Sequence, residues 1–194
     1  MSTVAVVYFS GQGHTHLMAE AFAEGVRNAG ADTFVHRLQG SDIHEGRWKD
    51  PGGVHDAVKA ADALVLGTPT YMGGVSAQLK AFIDSMGGLW FAQALAGKLA
   101  GGFTHSSSPI GEKTATLMYL QVHATQHGMD WVSNAVLPDR YTGGDRGLNE
   151  LGSFLGPAGQ ADPDQSENPD IVIKDSERQT CHAYAERLVG RLKG

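Results

Sequence analysis

Apolar runs and amphipathic stretches alternate about five times along this chain. Residues 4–9 and 63–66 are continuous apolar runs, which is typical of strands buried on both faces of a parallel sheet. The alternation predicts an α/β fold with helices on both faces of a parallel sheet. Asp175 or Ser176 is predicted to cap the last helix. The predicted strands are 4–9, 33–38, 63–66, 98–104 and 131–136, and the predicted helices are 14–30, 54–60, 76–86, 112–126 and 175–192.

This alternation also predicts where a ligand binds. Doubly wound sheets bind their ligands beyond the carboxyl ends of the strands, where the strand order reverses. With five strands in the order 2-1-3-4-5, that point lies between strands 1 and 3. The loops that follow the first, third and fourth strands are therefore the candidate site.

The loop after the first strand has the features of a phosphate-binding loop. Gly11 and Gly13 let the backbone turn its N–H groups inward, and a helix N-terminus follows. Because no Lys or Arg precedes Arg27, neutral donors and the helix dipole are expected to hold the anion. The loop lacks the Lys of a nucleoside triphosphatase P-loop and the third Gly of a dinucleotide fingerprint, so it favours a phosphomonoester bound without a metal. The expected contacts are Ser10, Gly11, Gln12, Gly13, His14 and Thr15.

The loops after the third and fourth strands favour a planar ring. They combine stiff backbone, hydroxyl groups and flat or polarisable side chains, which suit a ring with hydrogen-bonding edges. FMN carries both a phosphate and such a ring, so the three loops together predict an FMN site. The second loop contributes Pro69, Thr70, Tyr71, Met72, Gly73 and Gly74, and the third contributes Ser106, Ser107, Ser108, Pro109, Ile110 and Gly111.

Composition narrows the class of partner to a small molecule. The net charge is −6 with acidic and basic residues interspersed, so no basic surface for nucleic acid is expected. The single cysteine, Cys181, excludes a disulfide within the chain. No stretch is long and apolar enough to cross a bilayer, and no basic leader precedes the first strand. A cytoplasmic location is therefore expected.

Two segments interrupt an otherwise regular single domain over residues 1–194. Residues 87–97 insert Trp90 and Phe91 between a helix and a strand, and residues 141–173 are rich in Gly, Pro, Asp and Asn. Irregular connections as long as the second segment are usually lids or binding arms, or they pack on another subunit. Trp90 and Phe91 are expected to wall a substrate space, to be buried against a neighbouring subunit, or to do both.

Three further residues are assigned structural roles. His123 and His127 lie four apart on a predicted helix, as zinc ligands can, but the pattern lacks a general-base Glu and a third ligand. No metal site is therefore predicted. His127 is expected at the helix end, where the dipole favours it, with Gly128 as the C-terminal cap. Cys181 lies on the apolar stripe of the last helix and is expected to pack in the core.

With these motifs, the chain resembles the flavodoxin superfamily and, within it, the WrbA-type NAD(P)H:quinone oxidoreductases. The resemblance runs nearly from end to end and rests on the order and spacing of the motifs together. It implies a flavodoxin-like three-layer sandwich with a five-stranded parallel sheet in the order 2-1-3-4-5, non-covalent FMN and a homo-oligomer, either dimer or tetramer. The motifs are Ser-Gly-Gln-Gly-His-Thr at 10–15, Gly-Thr-Pro-Thr at 67–70 with Gly73, Gly-Gly-Leu-Trp at 87–90, the Ser/Gly-rich loop at 106–111 and His-Gly-Met at 127–129.

The resemblance also implies a role for each motif. Residues 10–15 would hold the FMN phosphate, residues 70–72 would border the isoalloxazine ring, and residues 106–111 would contact its polar edge. Trp90 and Gln126 would line the substrate space. The chain departs from the family at Met72, where an aromatic residue is common, at Ser-Ser-Pro-Ile in the third loop, where glycines are frequent, and at Gln126, which replaces the first His of a common His-His-Gly-Met. Unlike His, Gln126 does not titrate near neutral pH.

The activity that the resemblance implies is that of an NAD(P)H dehydrogenase (quinone). Such an enzyme takes a hydride from NADH or NADPH onto FMN and passes two electrons to a quinone-like acceptor. Because the flavin performs this chemistry, no catalytic side chain is predicted. Two alternatives stay open from the sequence: a flavodoxin-type one-electron carrier and a non-enzymatic FMN-binding protein.

Overall fold

The computed structural model describes residues 1–161 and 171–194, in which nine strands, seven α-helices and a 3-10 helix (Gly40–Asp42) are formed. The strands are β1 (Thr3–Tyr8), β2 (Asp32–Arg37), β3 (Ile43–His44), β4 (Arg47–Trp48), β5 (Ala63–Tyr71), β6 (Gly74–Val75), β7 (Leu99–Ser106), β8 (Asp130–Trp131) and β9 (Ala158–Gln160). The helices are α1 (His14–Asn28), α2 (Val54–Ala60), α3 (Ala77–Ser85), α4 (Gly87–Phe91), α5 (Lys113–Gln126), α6 (Asp139–Thr142) and α7 (Asp175–Leu192).

The main sheet has the strand order β2-β1-β5-β7-β8, and all four neighbouring pairs are parallel. This is the 2-1-3-4-5 order of the five predicted parallel strands, so the predicted fold is confirmed. Two short strands extend the sheet, because β6 pairs antiparallel with β5 and β9 pairs parallel with β7. The strand order reverses at β1, and the carboxyl ends of β1 and β5 lie side by side there.

Apolar side chains cover both faces of the sheet, as the continuous apolar runs predicted. Along β1, Val4, Val6 and Tyr8 belong to one core cluster, whereas the alternating Ala5 and Val7 belong to the other. The first cluster is closed by α1 and α7, and the second by α2, α3 and α5. The result is a three-layer sandwich with helices on both faces.

The fifth strand is shorter than predicted. Residues 131–136 were expected to form it, but β8 ends at Trp131 and pairs only with the first two residues of β7. The chain then leaves the edge of the sheet and returns as β9, which pairs with the last three residues of β7. Polar side chains tie the departing chain to the returning one: Trp131 Nε1 donates to the Leu155 carbonyl oxygen at 2.9 Å, and the Asn134 amide donates to the Ser153 carbonyl oxygen at 2.9 Å.

The long segment 141–173 is therefore in part a component of the sheet rather than a free arm. Residues 158–160 form β9, a placement that the composition of the segment did not indicate because Ala-Gly-Gln is a weak strand pattern. The lid or binding arm predicted for this segment also involves residues 162–170, which lie outside the described part of the chain.

Two helix ends differ in detail from the prediction. The N-cap of α7 is Lys174, not Asp175 or Ser176, and the Glu177 carboxylate accepts the Lys174 N–H at 3.3 Å. Helix α5 ends at Gln126 with His127 as its C-cap, and Gly128 follows with φ +69°. Within the described ranges, no helix is both long and apolar enough to span a membrane.

Candidate functional site

A cavity of about 300 Å³ opens at the carboxyl ends of β1, β5 and β7. The loops after these three strands, which the sequence analysis named as the candidate site, all contribute to its wall. Its volume lies at the lower end of the range typical of small-molecule sites. The lining residues are Ser10, Gly11, Gln12, His14, Thr15, Pro69, Thr70, Tyr71, Met72, Gly73, His105, Ser106, Ser107, Ser108, Gly111 and Glu112.

Four residues expected at the site lie in these loops without lining the cavity: Gly13, Gly74, Pro109 and Ile110. Gly13 is the N-cap of α1, and Gly74 begins β6. Ile110 is 82% exposed and projects from the third loop. Conversely, His105 and Glu112 line the cavity although neither was among the expected contacts. Their adjacency to the third loop was the only sequence signal for them.

The first loop is organised by the side chain of Ser10. Its Oγ accepts hydrogen bonds from the N–H groups of Gly13 and His16, both at 3.1 Å. Ser10 therefore holds the turn in place, and its hydroxyl proton can be donated to a ligand. Gly13 has φ +107°, which favours glycine, and it leads directly into the 15-residue helix α1. The N-terminal turn of this helix opens at the cavity, where an anion is favoured.

A cation supports the first loop from a neighbouring strand. Arg37, the last residue of β2, donates from Nη2 to the carbonyl oxygen of Ser10 at 2.9 Å. Neutral donors alone were predicted for this loop, because no Lys or Arg precedes Arg27 in the sequence. Parallel pairing of β1 with β2 places the ends of both strands together, and this brings the guanidinium to the loop.

The second loop is a tight β-hairpin between β5 and β6. Thr70 pairs with Val75 and Tyr71 with Gly74, so Met72 and Gly73 form the two-residue turn. Both have positive φ, +47° and +83°, as a type I′ turn requires. In this turn the Met72 side chain is fully exposed to solvent. Met72 therefore stands at the mouth of the cavity, where it can meet a ligand or another chain.

Tyr71 crosses from the second loop to the first. Its hydroxyl oxygen lies where a Cβ at residue 11 would stand, so only glycine at that position leaves room for the ring. Beneath it, the buried Thr70 hydroxyl is bonded to Thr104 Oγ1 at 2.8 Å and to Thr116 Oγ1 at 2.9 Å. These hydroxyl contacts link the end of β5 to β7 and α5 and hold the hairpin rigidly.

The third loop is held from behind by Lys113, the first residue of α5. Its ammonium donates to the carbonyl oxygens of Ser108 at 2.5 Å and Pro109 at 3.2 Å. Lys113 is 5% exposed, and burial lowers the pKa of its ammonium. The buried ammonium thus holds the backbone of the third loop in place through these two hydrogen bonds.

Between the first and third loops, the rings of His14 and His105 stack with 4.5 Å between their centroids. His105 is buried, and its Nε2 has no hydrogen-bond partner among the described residues. Its nearest acidic atom is Glu177 Oε2 at 3.8 Å, which is too long for a hydrogen bond. Burial, with the nearby charges of His14 and Lys113, lowers the pKa of His105 to about 3, so the ring is neutral at physiological pH. Burial also raises the pKa of the Glu177 carboxyl.

Trp90 and Gln126 lie together, but in a different cleft. This second cleft, of about 360 Å³, is formed by α3, α4 and α5, with Lys80, Asp84 and Tyr119 on its wall. Within one chain, the two residues expected to line the substrate space are therefore separate from the cavity at the strand ends. Trp90 is half exposed and Phe91 is 86% exposed.

His123 and His127 also border this second cleft. Their rings lie 4.7 Å apart, and burial lowers the pKa of both, that of His123 to about 4 with His127 as the next cause. The helix dipole was expected to favour a charged His127, but burial has the larger effect on the pKa of this ring and favours its neutral form. Over residues 1–161 and 171–194, no group of His, Cys, Asp and Glu side chains is arranged to hold a metal ion. Cys181 is fully buried in the core next to α1, and burial raises the pKa of its thiol.

The cavity at the strand ends suits FMN by its donor set. It offers a helix N-terminus and a glycine turn at one end, and hydroxyl groups with a half-exposed Tyr71 at the other. A phosphomonoester fits the first region and a planar ring fits the second.

Comparison with known proteins agrees with this reading. Residues 4–142 match the family described as NADPH-dependent FMN reductase. The chain is 34% identical over 189 residues to a protein named Flavodoxin FldP from Pseudomonas aeruginosa (strain UCBPP-PA14), covering 97% of this chain and 95% of that protein. It is 37% identical over 138 residues to an NAD(P)H dehydrogenase (quinone) from Cupriavidus metallidurans (strain ATCC 43123 / DSM 2839 / NBRC 102507 / CH34), covering 66% and 69%.

A solved structure is similar over the whole chain. The crystal structure of a flavodoxin, WrbA-like protein from Agrobacterium tumefaciens matches with a TM-score of 0.75 and 34% identity, covering 100% of this chain and 98% of that one. These matches confirm the family resemblance that the loop motifs indicated.

Proposed function

We propose that this chain is an FMN-dependent oxidoreductase that transfers two electrons from NAD(P)H to a quinone-like acceptor, because the chain belongs to the NADPH-dependent FMN reductase family. The cofactor is FMN, bound without a covalent link, and the activity is that of an NAD(P)H dehydrogenase (quinone). One observation carries this proposal: the three loops meet in one cavity next to the N-terminus of α1, with the features that a phosphate and a flat ring each require.

Each loop takes one part of the cofactor in this proposal. Residues 10–15 hold the phosphate through backbone N–H groups, the Ser10 and Thr15 hydroxyls and the dipole of α1. Residues 69–74 border the ring, and residues 106–111 contact its polar edge. Arg37 adds positive potential at the phosphate end, because its guanidinium is bonded to the carbonyl of Ser10.

The side chains of this chain bind and orient rather than react. Bound FMN supplies the redox chemistry, since it can accept a hydride from NAD(P)H and return two electrons to a quinone. The rigid Thr70 network and the Lys113 contacts keep the walls of the cavity fixed, which lowers the cost of aligning donor and acceptor with the cofactor. Met72 and Tyr71 stand at the open side, where nicotinamide and quinone are proposed to bind in turn.

A homo-oligomer, most simply a tetramer, is proposed to complete the substrate space. Trp90 lies in a cleft separate from the cavity of its own chain, while Phe91 and Met72 are highly exposed apolar residues. A neighbouring subunit would cover these side chains and bring Trp90 and Gln126 to a cavity. A cytoplasmic location is also proposed, supported by the one buried, unpaired cysteine.

A one-electron carrier is the second candidate function. The similarity to a protein named Flavodoxin FldP, which spans nearly the whole length of both chains, favours it. The exposed aromatic residues of α4, Trp90 and Phe91, favour the enzyme, because they can enclose the ring when another subunit is bound, whereas a carrier needs an open ring edge on which a partner protein can dock.

Stopped-flow reduction of FMN-loaded protein tests the proposal. We expect NADH or NADPH to bleach the flavin rapidly and a quinone to restore its colour over many turnovers. Slow reduction by both nucleotides, with chemical reduction halting at the one-electron stage, would identify a carrier. Failure to bind FMN would contradict both functions. Riboflavin provides the matched ligand control, because it lacks only the phosphate that the first loop is proposed to hold.

A further inference from the structure

Lys113 carries a buried positive charge close to the cavity. Its ammonium is 5% exposed and lies behind the third loop, bonded to the carbonyl oxygens of Ser108 and Pro109. Ser108 and Gly111 line the cavity, and Lys113 Nζ is 3.4 Å from the point where a Cβ would stand at Gly111. Only the backbone of the third loop therefore separates the Lys113 ammonium from the cavity.

This charge has no carboxylate partner in direct contact. Glu112 and Glu177 are the acidic groups close enough to act on it, yet neither lies within 4.0 Å of Nζ in the described part of the chain. Two carbonyl dipoles alone are a poor replacement for water around an ammonium. A neutral donor could hold the same loop at a lower desolvation cost, so the presence of a charge here suggests a role beyond shaping the loop.

The field of Lys113 reaches the cavity itself. His105, on the cavity wall, has a lowered pKa partly because of the Lys113 charge. An added negative charge on a ligand at the third loop would therefore be stabilised through a layer of low dielectric. Reduction of FMN by NAD(P)H delivers two electrons and one proton, as a hydride, so the bound cofactor gains one negative charge while the nucleotide is oxidised to NAD(P)⁺.

We propose that Lys113 is a positioning residue that also tunes the cofactor: it holds the third loop in place, and its charge stabilises reduced FMN relative to oxidised FMN. The inference rests on the proposed function, in which the third loop contacts the polar edge of the flavin ring. It assigns Lys113 an effect on the midpoint potential, which a purely structural lysine would not have.

The test is the two-electron midpoint potential of bound FMN, measured by spectroelectrochemical titration, together with the Kd for oxidised FMN. Lys113→Gln keeps a donor for the loop carbonyls and removes the charge, whereas Lys113→Arg keeps both. We expect the Gln variant to lose about tenfold in affinity for reduced FMN relative to oxidised FMN, which lowers the potential by about 30 mV for a two-electron couple. The Arg variant should return the potential toward that of the wild type.

Lys98→Gln is the matched control. Lys98 also donates to two backbone carbonyls, those of Lys59 at 2.6 Å and Ala61 at 2.5 Å, but it precedes β7 and lies at the opposite end of that strand from the cavity. Its replacement should leave the potential unchanged. Glu177→Gln removes a negative charge that acts on Lys113 and is expected to shift the potential upward, opposite in sign to Lys113→Gln.

The possible outcomes distinguish a failure of the tuning role of Lys113 from a failure of the proposed function. Opposite shifts for Lys113→Gln and Glu177→Gln support the tuning role. If Lys113→Gln weakens binding of both redox forms equally and the potential stays constant, Lys113 is structural only and the inference is overturned. If that variant no longer retains FMN, Glu177→Gln decides, since an unchanged or lower potential would overturn the inference. A wild-type protein without FMN affinity would overturn the proposed function and the inference together.

Discussion

Arg37 and Ser10 are joined by a hydrogen bond of 2.9 Å from the guanidinium Nη2 to the carbonyl oxygen, which links the end of β2 to the first loop of the cavity. We expect Arg37→Gln to lower the affinity for FMN by about three- to tenfold, because it removes a charge that favours the phosphate. The affinity for riboflavin should not change. Arg27→Gln is the control, since Arg27 is bonded to Thr33 Oγ1 at the far end of α1. Fluorescence titration measures both ligands, and an equal loss for riboflavin would contradict the phosphate role.

Gly13 should tolerate no side chain. We expect Gly13→Val to abolish FMN uptake, because φ +107° is a backbone conformation that valine rarely adopts, so the turn that leads into the N-terminus of α1 would have to change. The control is Gly46→Val, where φ is +74° but nothing lies within 4 Å, so only the cost of the left-handed conformation, about 1–2 kcal/mol, applies. Equilibrium dialysis against FMN and urea unfolding of both variants separate lost binding from lost stability. Normal FMN affinity of Gly13→Val would refute the prediction.

Donor and acceptor should occupy one space in turn. The exposed side chains of Tyr71 and Met72 border the cavity, and the proposed subunit contact would place Trp90 opposite them. Steady-state kinetics should therefore give parallel double-reciprocal lines at several quinone concentrations, as in ping-pong turnover, with high quinone inhibiting against NAD(P)H. Intersecting lines would show that both substrates bind together.

Assembly should depend on the exposed end of α4. We expect Phe91→Asp to lower the oligomer mass measured by light scattering and to reduce quinone turnover, while FMN stays bound in the intact cavity of each chain. Val35→Asp is the control, because it adds the same charge at a partly exposed site on the edge strand β2. Removing residues 157–170 is unsuitable as a test, since it would delete β9 and its pairing with β7. A wild-type protein that is monomeric and fully active would rule out the shared site.

Stability should fall as the pH is lowered. Burial lowers the pKa of His105 to about 3 and that of His123 to about 4, from 6.5, so the unfolded chain binds more protons below pH 6.5. The free energy of unfolding should therefore drop by about 2–3 kcal/mol between pH ~7.5 and ~5.5. The raised pKa of Glu177 acts in the opposite sense just above pH 4.5, because there the folded state holds the extra proton.

Urea unfolding of the apoprotein at the two pH values measures this drop. His123→Gln removes one of the rings whose pKa is lowered by burial, so the free energy of unfolding of this variant should change by about 1 kcal/mol less between the two pH values. An equal drop in the variant and the wild type would show that His123 does not contribute.

Much of the fold was predictable because the evidence for it is local. The apolar runs of β1 and β5 predicted strands buried on both faces, and Ser76 was included at the start of a predicted helix, where it does cap α3 by accepting the Leu79 N–H. The three loops of the candidate site were predictable for the same reason, since each directly follows a recognisable strand. Residues 131–136 were predicted wrongly as a strand, because a β pattern does not say whether the neighbouring strand has a free edge to pair with.

The sequence by itself determined the order of strands and helices, the glycine turn before α1 and the residues available at each strand end, because these depend on periodicity and on backbone freedom within a few positions. Tertiary structure alone decided which distant groups meet. It brought Arg37 to Ser10 through strand pairing, Lys113 behind the third loop through the turn at Glu112, β9 onto the edge that β8 leaves open, and Trp90 into a cleft apart from the cavity. Such contacts depend on how whole elements pack, and a pattern along one chain carries no record of the distance between two side chains that are far apart in sequence.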